Sequence, residues 1–399
     1  MDRAILHVDC NKFYASVECC RRPELRELPL AVGGDEAMRH GIVLTKNELA
    51  ARCGISTGEP LWSARQKCPG LVVVPPDFPT YIRYSGMVRK ILDSYTDRVE
   101  PFGLDEAWLE LTGCPGSPEA TADEIRQRVH RELGITVSIG VSFNKTFAKL
   151  GSDYKKPDAV TVFSRENFRE KVWPLPAGSL LFVGRATQQK LAQRYIFTIG
   201  DIARAEPALL RSLLGKCGSM LHAAANGLDG QPVIPAGQEA AIQSVSNSMT
   251  TYRDLLDDHD ARLVLTALAE TVGRRLRGQH LYGRTVEVHA RDNTLSAHAF
   301  RTTLDHYICS TEDIAGEAIA LLQAKYRWAK PLRTLTVGIS GLAPDTTPSQ
   351  TDLLGGAQRE RRERLDVATD ALRRRFGEGC VRRAILLEDP ALAGLRPPR

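Results

Sequence analysis

Two strand-like runs in this chain end in carboxylates, and that arrangement constrains its fold and chemistry more than any other feature. The apolar run Ala4-Ile5-Leu6-His7-Val8 closes on Asp9. A second run, 99–111, carries Asp105 and Glu106 in the stretch Gly103-Leu104-Asp105-Glu106-Ala107-Trp108. Both are rich in β-branched and aromatic residues and flanked by turn formers, the pattern of strands. Carboxylates crowded together repel one another unless a cation neutralises them. A hard cation such as Mg²⁺ takes one or two carboxylates and fills its shell with phosphate oxygens. Two such ions about 4 Å apart activate an attacking oxygen and stabilise a leaving one. Asp9 alone reads equally well as a solvated strand end, so the rest of the chain has to decide.

At 399 residues the chain has room for two or three domains of about 150 residues each. Its 43% hydrophobic and 25% charged content is that of a soluble globular protein. The net charge of +5 is compatible with nucleic acid without establishing it. Nine scattered cysteines form no Cys-x-x-Cys pair, which argues against a zinc site or a disulfide framework. Reduced thiols in a cytoplasmic protein are the expectation. No leader pattern and no apolar stretch of bilayer-spanning length is present, so no membrane partner is expected.

The hydrophobic pattern predicts strands over 4–9, 28–32, 41–44, 71–74 and 136–141. Helices are predicted over 13–20, 47–53, 81–95, 122–133 and 144–154. This mixed order points to an α+β core rather than a doubly wound parallel sheet. From 166 to 231 the pattern is helical and short-looped. Residues 230–242 read as a linker. A second, small α+β domain follows, with a helix from an Asp-rich start at 254–260 to Arg277. Its strands are expected over 284–291, 296–304 and 332–340, with a helix over 312–325. A polar tail from 344 leads into an Arg/Glu-laced helix over 357–376.

Lys145, Lys149, Lys155 and Lys156 cluster beside Asn144 and Asp153, natural partners for a polyphosphate. The alternative for such a run is a solvated helix face. Pro157 places Lys156 at a helix end in extended geometry, which favours a positioned role. One turn past Asp9, Phe13 reads as core, whereas Tyr14 is suited to lie under the sugar of a nucleotide. Gly33-Gly34-Asp35-Glu36 resembles the signature of a diguanylate cyclase but reads better as a hairpin turn. The turns around Gly184-Arg185 and Gly215-Lys216 join helices, and their amides suit phosphate without reading bases. In the second domain Arg274, Arg275, Arg277, Arg284, Arg291 and Arg301 accumulate where acids are sparse. On the strand over 284–291, Val286, Val288 and Ala290 share one face and Glu287, His289 and Arg291 the other. A basic sheet face of this kind suits a nucleic-acid backbone.

Taken together, these segments resemble the Y-family, DinB-type DNA polymerases, the translesion class. The resemblance runs from Ile5 to about Arg383. It rests on His7-Val8-Asp9-Cys10-Asn11-Lys12-Phe13-Tyr14-Ala15-Ser16-Val17-Glu18, on Leu104-Asp105-Glu106-Ala107, on Asn144-Lys145-Thr146-Phe147-Ala148-Lys149 with Asp153 and Lys156-Pro157, and on Ala225-Asn226-Gly227-Leu228-Asp229. It implies a right-handed architecture: a ferredoxin-like palm (1–11 and 80–165), small fingers (12–79) and a helix-hairpin-helix-like thumb (166–231). A linker (232–242), an α+β little finger (243–345) and a tail (346–399) would follow. By position, Asp9, Asp105 and Glu106, with the Cys10 carbonyl, would hold two Mg²⁺ (or Mn²⁺) ions. Phe13 and Tyr14 would bind the substrate, Tyr14 as the steric gate against ribonucleotides, Lys156 would contact the triphosphate, and primer–template DNA and dNTPs would be the partners of a monomeric enzyme.

Three positions depart from the family pattern. Glu48-Leu49-Ala50-Ala51 stands where relatives usually carry Tyr-x-Ala-Arg/Lys on the triphosphate. The neighbouring Arg52 points about 100° away from position 51 on a helix, so it is at best a partial substitute in dNTP binding. Asn11 replaces a common second acid, and Gly103 a common serine. In the tail, Gln350-Thr351-Asp352-Leu353-Leu354 resembles the Gln-x-x-Leu-Phe peptide that docks on sliding clamps, with Gln350, Leu353 and Leu354 as its contacts. Two rival readings stay open: a catalytically weak DNA-binding relative, and a nucleotide cyclase.

Overall fold

A computed structural model of the chain describes residues 2–36, 39, 41–235, 237–238, 241–347 and 356–394. The chain forms two compact units: Met1–Gly34 with Gly41–Glu239, and Asp35–His40 with Ala240–Arg399.

The first unit is built on a five-stranded sheet in the order Val99–Pro101, Glu106–Glu110, Ile5–Cys10, Val137–Ser142, Val160–Phe163. Only the last pair is parallel. The central strand Ile5–Cys10 is buried throughout because both faces of the sheet are covered. On one face Leu6, Val8 and Cys10 pack with Ile125 and Val129 of helix Pro118–Leu133 and with Val88 and Ile91 of helix Phe78–Asp93. On the other lies helix Lys145–Tyr154, capped by the Asn144 side chain, which accepts from the Phe147 amide at 2.7 Å. That helix comes close because Gly140 has no side chain: a Cβ there would stand 1.9 Å from the Ala148 carbonyl oxygen. The approach hangs the polar face of the helix over His7, Asp9 and Glu106.

A smaller sheet, in the order Val43–Lys46, Leu30–Gly33, Val72–Val74, packs with the short helices Glu48–Arg52 and Leu61–Lys67 around Ala31, Val43, Ala50 and Leu61. Helices Arg185–Ala192, Ile199–Arg204, Pro207–Leu214 and Lys216–Ala225 share a core with Phe143, Phe147, Phe163 and Phe168. The strand Val160–Phe163 is not among the predicted elements. The segment read as a linker over 230–242 is not free at its start. Val233 is buried with Ile5, Trp108 and Ala148, and the Ile234 amide donates to Glu100 at 2.9 Å.

The second unit carries a four-stranded antiparallel sheet in the order Ala297–Ile308, Leu281–Asp292, Leu332–Pro344, Ser244–Leu255. Helices Asp258–Gly278 and Thr311–Lys325 form its core with Val286, Val288, Leu335 and Val337. The edge strand Ser244–Leu255 went unpredicted because its serines, threonines and asparagine leave few apolar positions to mark an alternation. Helix Gly356–Phe376 is fastened to this unit by charge. Asp366 accepts from the Thr311 amide at 2.6 Å and pairs with Arg277 at 3.2 Å, while Asp370 pairs with Arg277 at 2.8 Å. Arg277 is therefore a structural residue, as is Arg274, which pairs with Glu378; neither belongs to a basic sheet face. Both units are mixed sheet and helix, the expected α+β class.

Candidate active site

Asp9 and Glu106 are direct cross-strand partners at the ends of adjacent antiparallel strands. Asp105 precedes Glu106, and its carbonyl accepts from the Cys10 amide at 2.9 Å, which ties the two strand ends together. The turn into this segment needs Gly103 in the left-handed region, at φ +85, where a serine side chain would be strained. The two predicted acidic clusters are thus one site.

Helix Lys145–Tyr154 and the residues after it supply the counter-charges. Lys149 pairs with Oε2 of Glu106, and Lys156 bridges Asp9 and Asp153, at 2.7 Å from each. His7, beside them on the same sheet face, puts Nε2 3.1 Å from the same Glu106 oxygen. Asp9 is only 6% exposed, and burial pushes its pKa up to about 6 although Lys156 pulls the other way. Asp105 is raised too, by burial and then by the neighbouring charge of Glu106. Burial opposes the ionised form of Glu106 as well, but His7 and Lys149 outweigh it and hold that pKa down at about 2.

Such a set fits a hard divalent cation. Three carboxyl groups stand at two neighbouring strand ends, and burial holds two of them, Asp9 and Asp105, above the usual carboxylate range. Among the described residues no three His, Cys, Asp or Glu side chains are gathered into a ready ligand shell. Lys149 pairs with Glu106 and Lys156 with Asp9, so two of the three carboxyl groups each carry a cationic partner.

The remaining candidates separate by environment. Tyr14 stacks on Tyr81 with ring centroids 4.5 Å apart and meets Phe78 edge-on, and Asp105 raises its pKa after burial, so the ring is held beside the carboxylates. Phe13 is buried core. Lys145 is a correction to the polyphosphate cluster: it is buried, paired with Glu100 at 2.6 Å and seated over the Trp108 ring at 4.4 Å. Asn11 is held by Thr136 at 3.1 Å and Ser138 at 2.9 Å, which gives its amide a hydrogen-bonding role. Arg52 is 73% exposed and lies 4.0 Å from Glu48. Glu48 also pairs with Lys12, so its charge does not stand unopposed near the site.

Gly184 and Gly215 open onto free space at the starts of helices Arg185–Ala192 and Lys216–Ala225. In the second unit Arg291 and Arg301 are exposed, and Glu287 lies opposite Arg301 in register. Arg284 is exposed at a bulge, 6.0 Å from the Tyr307 ring centroid. Gln350, Leu353 and Leu354 lie outside the described residues. Sequence reasoning missed His7, Ser152 and Glu100. The only local signal was a histidine and a glycine, His7 and Gly140, at buried positions of strand patterns.

Known proteins resemble this chain over nearly its whole length. Residues 8–153 match the impB/mucB/samB family and residues 242–353 match that family's C-terminal domain. The chain is 46% identical over 396 residues to the DNA polymerase IV of Acetivibrio thermocellus, covering 98% of this chain and 99% of that protein. It is 36% identical to DNA polymerase IV 1 of Bacillus subtilis, covering 97% and 94%. A solved Y-family DNA polymerase chimera shares the fold at a TM-score of 0.74 and 22% identity, over 86% of this chain and 99% of that one. Nothing in these matches supports the cyclase reading. The chain belongs to the impB/mucB/samB family and is a Y-family, DinB-type DNA polymerase.

Proposed function

We propose that Asp9, Asp105 and Glu106, with the main-chain carbonyl of Cys10, hold two Mg²⁺ or Mn²⁺ ions in the active site of this polymerase. Template-directed DNA synthesis of the translesion kind is the activity of the family, and Y-family polymerases generally use divalent metals. The observation that carries the assignment is the register: Asp9 faces Glu106 across one strand pair while Asp105 bonds back to Cys10. When bound, the ions supply a nucleophile-activating charge at the primer 3′ oxygen and a stabilising charge at the leaving pyrophosphate. Lys156 and Lys149, which stand beside the carboxylates, would meet triphosphate oxygens as compact point charges. Tyr14, wedged by Tyr81 and Phe78, floors the sugar and leaves no room for a 2′ hydroxyl.

DNA is gripped along its backbone, at the turns of Gly184-Arg185 and Gly215-Lys216 and on the sheet carrying Arg284, Arg291 and Arg301. The peptide of Gln350, Leu353 and Leu354 tethers the enzyme to a sliding clamp in the cytoplasm, which raises its effective concentration at primer ends.

Primer extension tests the metal assignment. Glu106→Gln and Asp105→Asn should each lower the rate by at least about a thousandfold, since a metal contributes several kcal/mol at the transition state. DNA affinity should stay near that of the parent. A rate within tenfold of the parent in either variant would remove that carboxylate from the site.

A further inference from the structure

Tyr14 lies on helix Phe13–Arg21, where an aromatic side chain has two open χ1 wells. A ring that excludes a 2′ hydroxyl has to stay in one of them, so what holds it matters. Its closest ring neighbour is Tyr81, from helix Phe78–Asp93, stacked on it with centroids 4.5 Å apart and planes 19° apart. Phe13 and Phe78 meet the Tyr14 ring at steeper angles and from further off, at 5.6 and 5.9 Å.

Tyr81 is wholly buried, and its hydroxyl donates to Glu18 Oε1 at 2.7 Å. Glu18 is itself only 1% exposed, and its other oxygen pairs with Arg22. A carboxylate acceptor makes the Tyr81 bond a strong one. Burying such an acid costs desolvation, and an apolar side chain of like volume often fills such a place without loss of stability. What the acid adds here is direction. Glu18 follows Tyr14 by four residues on the same helix, so the two share a face. Tyr81 therefore spans one helical turn, its ring resting on Tyr14 and its tip tied to Glu18. The two helices are tied a second time by Asp77, which caps the helix of Tyr81 by accepting from the Thr80 amide at 3.2 Å and pairs with Arg21 at 2.7 Å.

We propose that Tyr81 and Glu18 are positioning residues for sugar selection. The Glu18 hydrogen bond fixes the Tyr81 ring, and that ring holds Tyr14 in the rotamer that shuts out a 2′ hydroxyl. This inference rests on the reading of Tyr14 as the residue that excludes ribose.

The test reads the ratio of kcat/KM for deoxynucleotide over ribonucleotide in primer extension by the full chain, with folding checked by thermal melting. Tyr81→Leu removes the stacked ring and should lower the ratio about tenfold through better ribonucleotide use, a part of the roughly hundredfold by which a pocket rejects an added hydroxyl. Glu18→Gln keeps an oxygen for the Tyr81 hydroxyl and should stay within about twofold of the parent. Glu18→Met has nearly the same shape but leaves that hydroxyl buried without an acceptor, so the ring turns away and the ratio should fall about fivefold. A merely structural loss would strike both sugars alike and leave the ratio at the parent's value, which overturns the proposal, as do equal ratios in the two Glu18 variants. Should Tyr81→Leu or Glu18→Met not fold, Tyr81→Phe takes its place. It keeps the ring and loses the anchor, and its ratio should fall by about threefold or more; a parent ratio overturns the proposal.

Tyr14→Ala is run alongside. If it discriminates like the parent, the reading of Tyr14 fails and the inference with it; if it loses discrimination while Tyr81→Leu keeps it, only the role of Tyr81 and Glu18 fails. In the Tyr14→Ala background, Tyr81→Leu should shift the ratio by less than about twofold, because Tyr81 acts through Tyr14. A further loss of about tenfold there overturns the proposal.

Discussion

Two sheets in this protein carry charge in opposite ways. In the five-stranded sheet the charged residues lie on a covered face: Asp9 with Lys156, Glu106 with Lys149 and His7, and Glu110 with Arg3 at 2.9 Å. In the four-stranded sheet Arg291 and Arg301 project from a face of serines and threonines into solvent, with Glu287 3.9 Å from Arg301 as a loose partner. Burial makes a few groups decisive, because each unpaired charge there is costly. Exposure makes many groups interchangeable, because water screens each of them. A covered face suits chemistry at one atom, and an open one suits a grip on a repeating backbone.

The sharpest break in that comparison is a methyl group placed on each sheet. A Cβ at Gly140 meets helix backbone at 1.9 Å, whereas one at Gly338 meets side-chain carbons alone, the Ser246 Cβ at 3.3 Å and the Glu287 Cβ at 3.7 Å. Gly140→Ala should lower stability by about 3 kcal/mol, the upper range for overpacking, and Gly338→Ala by less than about 1 kcal/mol. Chemical denaturation of each reads the difference; similar losses would mean that the covered face is no more tightly built than the open one.

Sugar choice comes next in size. Tyr14→Ala should raise ribonucleotide use relative to deoxynucleotide by about a hundredfold, the scale on which a pocket rejects an added hydroxyl. Competition assays read it, and unchanged discrimination would make Tyr14 a packing residue only.

The pH response separates the sheets further. Asp9 has its folded pKa raised to about 6, so in the metal-free protein its contribution favours folding at low pH and is lost as pH rises through about 6. Metal needs the ionised form. Mn²⁺ affinity should therefore fall by about tenfold per pH unit below about 6, while Glu106, at about 2, stays ionised. A flat affinity from pH 5 to 7 would remove Asp9 from the ligand set.

Smallest is the effect of the open face. Arg291→Ala and Arg301→Ala should each weaken DNA binding by a few-fold, equally for all sequences, and reduce the salt slope by about 0.9 for each phosphate no longer neutralised. Binding isotherms at several salt concentrations check this. A weakening confined to one sequence would show base reading instead of a backbone grip.

Much of this was legible in the residue order. Asp9, Asp105 and Glu106 stand at the ends of strand-like runs, Tyr14 follows one helical turn later, and the alternation of Val286, Val288 and Ala290 marks the second sheet's inner face. Lys145 was not legible. It sits in the same basic run as Lys149 and Lys156, yet it is buried against Glu100 and Trp108, because rotation around helix Lys145–Tyr154 sends neighbours in sequence to different surroundings. Glu48 looked repulsive in the sequence, where nothing marks Lys12, distant along the chain, as its partner.

By itself, then, the sequence determined the fold class, the strand ends that carry the acids and the family, since periodicity and motif order are local properties of the chain. Only the tertiary structure decided which cation answers which acid, and that His7 meets both Ser152 and Glu106. Those contacts join residues 145 and 99 positions apart from His7, respectively, and they depend on the depth to which one helix settles on the glycine of a neighbouring strand.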